Sequence, residues 1–169
     1  MPNKWTFKQN KLLNFILKYL PEKTSVLIPF AGQYRFTKYE SKGCTFTYND
    51  INVEMDAGYH VEAWRLRKIL HEESFGCIIA DPPYTHYQGT KSYSGFKVQR
   101  ITDWRKTANY LLKPNGIYIE LGYNSTGLRQ EIAEKIALGI CCLGGSHNDI
   151  LIVVQKKYND KKQGDNLLL

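Results

Sequence analysis

The sequence predicts an α/β fold in which helices cover both faces of a mostly parallel sheet. Residues 25–28 and 75–80 are short apolar runs typical of strands buried on both faces, and the β-prone run 45–48 lies between them. Helical spacing recurs between the strand-like runs, and this alternation is typical of βαβ units. Two last strand-like runs, joined by a short polar loop, add an antiparallel C-terminal hairpin.

Local signals define each remaining element. Residues 6–9 match a capping box, apolar residues follow at helical spacing, and Pro21 ends the helix predicted over 6–20. The sequence also predicts three further helices, at 61–70, from Ile101 to Leu112, and around Leu128, Ile132 and Ile136. A turn is predicted at 113–116, and strands are predicted at 117–121, 140–143 and 150–154. We expect one domain over residues 1–157 and a flexible tail at 158–169.

The composition is that of a basic, soluble domain. The 169 residues are 43% hydrophobic, and 23 Lys and Arg against 16 Asp and Glu give a net charge of +7. A surplus of this size favours a polyanionic partner. No apolar run approaches the roughly 18 to 20 residues that span a bilayer, and the first residues lack the apolar stretch of a secretory signal. We therefore expect a cytoplasmic protein that does not span a membrane.

The cysteines point to packing rather than to metal chemistry. Cys44, Cys77, Cys141 and Cys142 form no CxxC pair and have no His or Cys partners at the spacing of metal ligands. Small apolar thiols of this kind are typical of a reducing compartment. No metal site is predicted.

The strongest chemical signal is Asp81-Pro82-Pro83-Tyr84, which directly follows the strand at 75–80. An exocyclic amine of a nucleobase is a poor nucleophile because its lone pair is conjugated into the ring. A fixed carboxylate and a main-chain carbonyl that accept its two N–H bonds draw the nitrogen toward tetrahedral geometry, and two prolines keep that loop rigid. An aromatic ring after the prolines can stack on a flipped base. The alternative is a strand-ending turn with a capping Asp and a packed Tyr.

Two further signals follow the first two strands. Pro29-Phe30-Ala31-Gly32 places small residues where a ligand can approach the main chain at a strand end. Asp50 comes 18 residues after Gly32 (50 − 32), close to the roughly 20 residues typical of a carboxylate that bridges ribose hydroxyls. A tight turn and a capping aspartate are the alternatives. The two signals at the ends of adjacent strands together favour a ligand site.

These residues, in this order, resemble the amino-methyltransferases that use S-adenosylmethionine and act on adenine N6. The similarity is greatest to small phage- or prophage-type adenine-specific DNA methylases. Three segments shared with that group are Asn49-Asp50-Ile51-Asn52, Gly122-Tyr123-Asn124-Ser125 and the loop from Gly144 to Asp149. The resemblance runs from Val26 to Val154 and implies a Rossmann-like methyltransferase fold with S-adenosylmethionine as cofactor.

The resemblance also implies roles for individual residues. Around the cofactor it places Pro29, Phe30, Ala31 and Gly32 at the methionine portion, Asp50 at the ribose, Ile51 against the adenine ring, and Glu62-Ala63 at the adenine amine. Around the target amine it places Asp81, Pro82 and Tyr84, with Pro83 holding the shape of the loop. The sequence departs from the family where Gln33-Tyr34 replaces the second glycine of the cofactor loop, and where Glu62 stands for the usual Asp after the family's third strand.

We therefore predict a methyltransferase that modifies the N6 amine of adenine in DNA. The candidate substrate contacts, each of which also fits an ordinary loop or turn residue, are Lys91, Asn124, His147 and Asn148. We expect sequence recognition to come from loops, from a homodimer partner or from an accessory specificity subunit. The alternatives are an RNA methyltransferase acting on adenine N6 or guanine N2, and a non-catalytic nucleic-acid-binding subunit of a methyltransferase complex.

Overall fold

The protein is an α/β domain built around one mixed sheet. The computed structural model describes residues 7, 9–36, 39, 42–83, 101–142 and 149–159. Its elements are, in chain order, α1 (Asn10–Tyr19), β1 (Ser25–Ile28), β2 (Thr45–Tyr48), the 3-10 helix η1 (Ala63–Lys68), β3 (Phe75–Ala80), α2 (Ile101–Leu111), β4 (Leu112–Gly122), β5 (Ala133–Cys141) and β6 (Ile150–Lys157). None of the helices within these ranges is long and apolar enough to cross a membrane.

The sheet has the strand order β2-β1-β3-β4-β6-β5. The first four strands run parallel, and β6 runs antiparallel to both β4 and β5. A single parallel bridge between Asn49 and Tyr59 extends the pairing beyond the outer edge of β2. The predicted mostly parallel sheet with a C-terminal antiparallel hairpin is confirmed.

Helices cover both faces of the sheet, as predicted. Leu12 and Ile16 of α1 are buried in the cluster that also holds Val26 of β1. On the opposite face, Trp104 of α2 is buried in the cluster that holds Leu27 of β1. Because successive strand residues point to opposite faces, a strand buried on both faces must be apolar throughout. This requirement explains why β1 and β3 have the bounds that their apolar runs predict.

The start of α1 differs from the prediction. The α-helix begins at Asn10, after an extended Gln9 that makes no side-chain capping bond, and not at residue 6 as predicted. Thr6 and Lys8 of the predicted capping box lie outside the described residues. Phe7 is buried and packs edge-on against Phe36, with the ring centroids 5.5 Å apart. This packing gives residue 7 a place in the core outside the helix. The end of the helix at Tyr19, ahead of Pro21, agrees with the prediction.

The helix predicted around Leu128, Ile132 and Ile136 is absent from the described structure, because β5 already begins at Ala133. The side chain of Gln155 in β6 binds the main chain of Leu128. Its Oε1 accepts a hydrogen bond from the Leu128 N–H at 2.7 Å, and its Nε2 donates to the Leu128 carbonyl at 3.0 Å. A tertiary contact therefore outweighs the helical spacing of these three apolar residues. Ile136 lies exposed on a strand.

Three smaller differences concern element bounds. The strand predicted at 140–143 is the longer β5, which begins at Ala133 and ends at Cys141. The helix predicted at 61–70 is the short 3-10 helix η1, with Glu62 at its N-cap. The turn predicted at 113–116 lies inside β4, which begins directly after α2. Asn115 there has a φ of 61°, and the pairing with β3 passes from Phe75–Leu112 directly to Cys77–Ile117, so residues 113–116 form a turn that interrupts the pairing within β4.

All four cysteines are free thiols. Cys44, Cys77 and Cys141 are buried, whereas Cys142 is exposed. Burial, with a smaller effect from Cys44, raises the pKa of the Cys77 thiol. A thiol in this setting behaves as an apolar side chain.

Replacing Gln155 with Ala is expected to destabilise the fold. The change leaves the buried N–H and carbonyl of Leu128 without partners, and each such loss costs about 1–3 kcal/mol. We expect the free energy of unfolding, measured by urea denaturation, to fall by about 2 kcal/mol or more. Gln130→Ala, at an exposed position, is the matched control. Equal stabilities of the two variants would contradict the assigned contact.

Candidate active site

The carboxyl ends of the parallel strands bring the predicted cofactor and target residues to one edge of the sheet. Ile28 at the end of β1 pairs with Tyr48 at the end of β2, so the segments after both strands start side by side. Leu27 pairs with Ile78. Phe30 and Asp81, each three residues further on, therefore leave the sheet at the same level. Ligand sites of open α/β sheets lie at this edge.

Asp50 directly contacts the loop after β1. Its Oδ2 accepts a hydrogen bond from the Gly32 N–H at 2.8 Å, and its Oδ1 accepts one from the Asn52 N–H at 2.9 Å. The residue is only 5% exposed, and these backbone donors replace the water that the carboxylate loses on burial. Gly32 has a φ of 55°, a left-handed conformation that glycine adopts without strain. The structure thus joins the two sequence signals, while their binding roles stay predictions.

Asn49 ties the same loop to the segment ahead of η1. Its Nδ2 donates to the carbonyls of Pro29 at 2.9 Å and Val61 at 3.0 Å, and its Oδ1 accepts from the Val61 N–H at 3.2 Å. Its main-chain carbonyl accepts from the Ala31 N–H at 3.0 Å. One buried side chain therefore fixes three segments. Its place in the sequence motif gave no hint of this bridging role.

Glu62 and Ala63 follow the Asn49–Tyr59 bridge in the chain and precede β3. Ala63 is buried, and Glu62 pairs with Arg65 at 2.8 Å near the surface. The hydrogen bonds between Asn49 and residue 61 keep this pair close to the end of β2. Ile51, on the loop after β2, is half-buried.

Three of the four residues predicted to hold the target amine are described. Asp81 is 6% exposed, Pro82 is buried and Pro83 is half-buried at the end of β3. Asp81 thus lies at the edge of the sheet where ligand sites of open α/β folds form, and its role toward a target amine stays a prediction. Outside the described residues lie Tyr84, Lys91, His147 and Asn148.

A buried polar network, missed by sequence reasoning, connects α2 with β4 behind this edge. Glu120 accepts hydrogen bonds from Arg105, at 3.1 Å from Nε and 2.5 Å from Nη2, and from the Tyr118 hydroxyl. Trp104 donates from Nε1 to the Tyr118 hydroxyl oxygen at 3.1 Å. The Trp104 ring also packs edge-on against Phe30, with the centroids 5.4 Å apart. The network therefore supports the loop after β1 from the α2 face.

The same network reaches Asn124, the one predicted substrate contact that the structure describes. Arg105 Nη2 donates to the Thr126 hydroxyl oxygen at 2.9 Å. The hydroxyl and the N–H of Thr126 both donate to Asn124 Oδ1, the N–H at 3.2 Å. This is the turn-forming role that an Asn two residues before a loop N–H commonly plays. Asn124 is exposed at the carboxyl end of β4, where a substrate can also reach it.

Arg35 is a second residue that sequence reasoning missed. Its Nη1 donates to the carbonyls of Gly32 at 3.1 Å and Tyr34 at 2.8 Å. The guanidinium lies 4.7 Å from the centre of the Tyr48 ring, and its Nε lies 3.5 Å from the carboxylate of Asp56. The one available signal was its place directly after Gln33-Tyr34, where the family's second glycine is missing.

The fold is shared with solved methyltransferases at low sequence identity. TrmN from Thermus thermophilus aligns with a TM-score of 0.62 and 15% identity, covering 87% of this chain and 47% of TrmN, so the chain spans about half of that protein. The N-methyltransferase NodS from Bradyrhizobium japonicum, solved with S-adenosylhomocysteine, aligns with a TM-score of 0.62 and 12% identity. The alignment covers 90% of this chain and 86% of NodS. The 1,6-didemethyltoxoflavin-N1-methyltransferase from Burkholderia thailandensis, solved with bound 1,6-didemethyltoxoflavin and S-adenosylhomocysteine, aligns with a TM-score of 0.57 and 13% identity, covering 88% of this chain and 76% of that enzyme.

A scan against protein-family models finds no match, and a search among curated proteins finds none. The structural likeness nevertheless confirms the predicted fold class. The chain has the Rossmann-like fold of S-adenosylmethionine-dependent methyltransferases, with the antiparallel hairpin at its C-terminal end.

The buried network makes folding sensitive to alkaline pH. Burial, and then the neighbouring Glu120 carboxylate, raise the pKa of the Tyr118 phenol well above its ordinary value of 10.0. Burial lowers the pKa of Arg105, but its hydrogen bond and ion pair with Glu120 outweigh burial and raise it overall. The cation therefore stays charged and bonded to Glu120 across the accessible pH range.

We expect the stability contributed by Tyr118 to be lost as pH rises above 10. There the unfolded chain releases the phenol proton while the folded chain keeps it, so each further pH unit removes up to about 1.4 kcal/mol. Urea unfolding from about pH 9 to about pH 11 measures this slope. Tyr118→Phe removes the proton and should flatten the slope, although it also lowers stability at neutral pH. Parallel slopes for the variant and the parent would contradict the assignment.

Proposed function

We propose that this protein transfers a methyl group from S-adenosylmethionine to the exocyclic N6 amine of adenine in DNA. The observation that carries the proposal is the buried Asp81, followed by Pro82 and Pro83, at the sheet edge that also holds Asp50 and Gly32. The N-methyltransferases among the solved structures of this fold support the class of reaction. The net charge of +7 supports a nucleic acid as substrate.

The residues of this edge fit the cofactor. Each oxygen of Asp50 accepts one backbone N–H, and a carboxylate offers about four acceptor positions. Two acceptor positions thus remain for ribose hydroxyls. Gly32 adds no side chain over the loop, while the half-buried Ile51 offers apolar surface to an adenine ring. When bound, the cofactor supplies an electrophilic methyl group on a positively charged sulfur.

The chemistry assigned to the chain is positioning and proton acceptance. The Asp81 carboxylate accepts one N–H of the target amine, and the Pro82 carbonyl accepts the other. The amine nitrogen then forms its bond to the methyl carbon while the carbon–sulfur bond breaks, and the surplus proton passes to Asp81. The acceleration comes from alignment and from a polar site shielded from water. Pro83 limits the motion of the loop.

Residues of the surrounding loops provide the contacts to the substrate. Asn124, held by Thr126 at the end of β4, contacts the nucleic acid together with Lys91, His147 and Asn148. Tyr84 stacks on the flipped base. Recognition of a particular sequence comes from these loops, from a second copy of the chain or from an accessory subunit.

Asp81→Asn tests the assigned acid–base and positioning role. The amide keeps the size of the side chain but loses the charge that accepts the amine proton, so we expect methyl transfer to fall at least about a hundredfold. The affinity for S-adenosylhomocysteine, measured by calorimetry, should change less than about threefold, because Asp81 faces the target amine. Asp103→Asn, on the half-exposed part of α2, is the matched control. Near-normal turnover of the Asp81 variant would refute the proposed chemistry.

A transfer assay with radiolabelled S-adenosylmethionine tests the substrate. We expect label in duplex DNA and, after nuclease digestion, in N6-methyladenine, because the sequence resembles adenine-specific DNA methylases, in which the target base is flipped out of the duplex. Label found only in RNA would overturn the DNA assignment and leave the reaction class standing. Absence of both cofactor binding and transfer would instead identify a non-catalytic nucleic-acid-binding subunit.

A further inference from the structure

We infer that Arg35 is a positioning residue for the methionine end of the cofactor, because it fixes the peptide carbonyl of Gly32. The inference rests on the proposed function, and in particular on the assignment of residues 29–32 to that end of the cofactor. It adds a residue that belongs to none of the motifs in the sequence.

The two backbone groups of Gly32 are held by side chains of opposite charge. The N–H donates to the Asp50 carboxylate at 2.8 Å, and the carbonyl accepts from the Arg35 guanidinium at 3.1 Å. Hydrogen bonds to charged groups are stronger than neutral ones, and they fix direction as well as distance. The orientation of Gly32, which has a left-handed φ of 55°, is therefore set from both sides before any ligand arrives.

A second glycine would keep this loop clear because it has no side chain. Here hydrogen bonds from Arg35 set the course of the loop instead. Gln33 is exposed, and the Tyr34 ring turns away to pack edge-on against Phe36, with the centroids 4.8 Å apart. Besides its bond to the Gly32 carbonyl, Arg35 Nη1 donates to the Tyr34 carbonyl at 2.8 Å. One nitrogen thus holds the carbonyl of Gly32 and the carbonyl of Tyr34, the residue that stands at the second glycine's position.

Stacking, rather than an ion pair, keeps Arg35 in place. Its side chain is 18% exposed and lies on the Tyr48 ring, whereas its carboxylate partner Asp56 is fully exposed and 3.5 Å away. An exposed pair of this kind contributes little. Arg35 Nη2 is buried and has no hydrogen-bond partner within the described part of the chain. Structural stability alone gives a weak reason for such a placement, and control of the loop gives a stronger one.

Calorimetry with two ligands separates control of the loop from general stability. S-adenosylhomocysteine carries the amino-acid end, and 5′-methylthioadenosine lacks it. For Arg35→Ala we expect the dissociation constant of S-adenosylhomocysteine to rise about tenfold, and that of methylthioadenosine to rise less than about threefold. Arg35→Lys should give an intermediate loss, because an ammonium retains charge but not the planar fork. Arg129→Ala, an exposed arginine on the loop before β5, should match the parent for both ligands.

The measurements are made well below the melting temperature of each variant, so that unfolding does not enter. An equal loss for both ligands would show a merely structural role and overturn the inference. Unchanged affinities in both Arg35 variants would overturn it as well. Failure of the parent protein to bind either ligand would refute the proposed function itself, which keeps the two outcomes distinct.

Discussion

The candidate site depends on how the chain leaves β2. Asn49 and Asp50 directly follow the strand and form hydrogen bonds with the loop after β1 through both main-chain and side-chain atoms. Both residues are buried, so their polar atoms must find partners inside the protein. Those partners are backbone groups of the loop after β1, of Asn52 and of Val61. The need to satisfy two buried polar side chains is thus what gives the proposed cofactor loop its shape.

The two halves of the sheet serve this edge in different ways. The parallel strands deliver their carboxyl ends to it, which places Asp81 beside Phe30. The antiparallel strand β6 lies beside β4 and fixes the far loop through Gln155. Between these two halves, the hydrogen-bond network that includes Trp104 and Glu120 links α2 to β4. Its Trp104 ring packs against Phe30 in the loop after β1. Rigid elements on both sides of a site are what a reaction that relies on alignment requires.

The parts of the fold that could be predicted from the sequence are those that burial alone determines. The bounds of β1, β2 and β3 follow from continuous apolar or β-prone runs, and the spacing of Gly32 and Asp50 reported a real contact. Residues 128–136 were misjudged because two hydrogen bonds from the distant Gln155 outweigh a local helical pattern. Arg35 and Glu120 were missed for the same reason: their partners are carbonyls and side chains remote from any motif.

The distribution of thiols has a practical consequence. Cys44, Cys77 and Cys141 are buried and Cys142 is exposed, so a maleimide fluorophore would attach at a single position of the native protein. That position directly precedes residues 143–148, which include the candidate contacts His147 and Asn148. A dye there would report the arrival of an oligonucleotide through its emission, without any engineered cysteine.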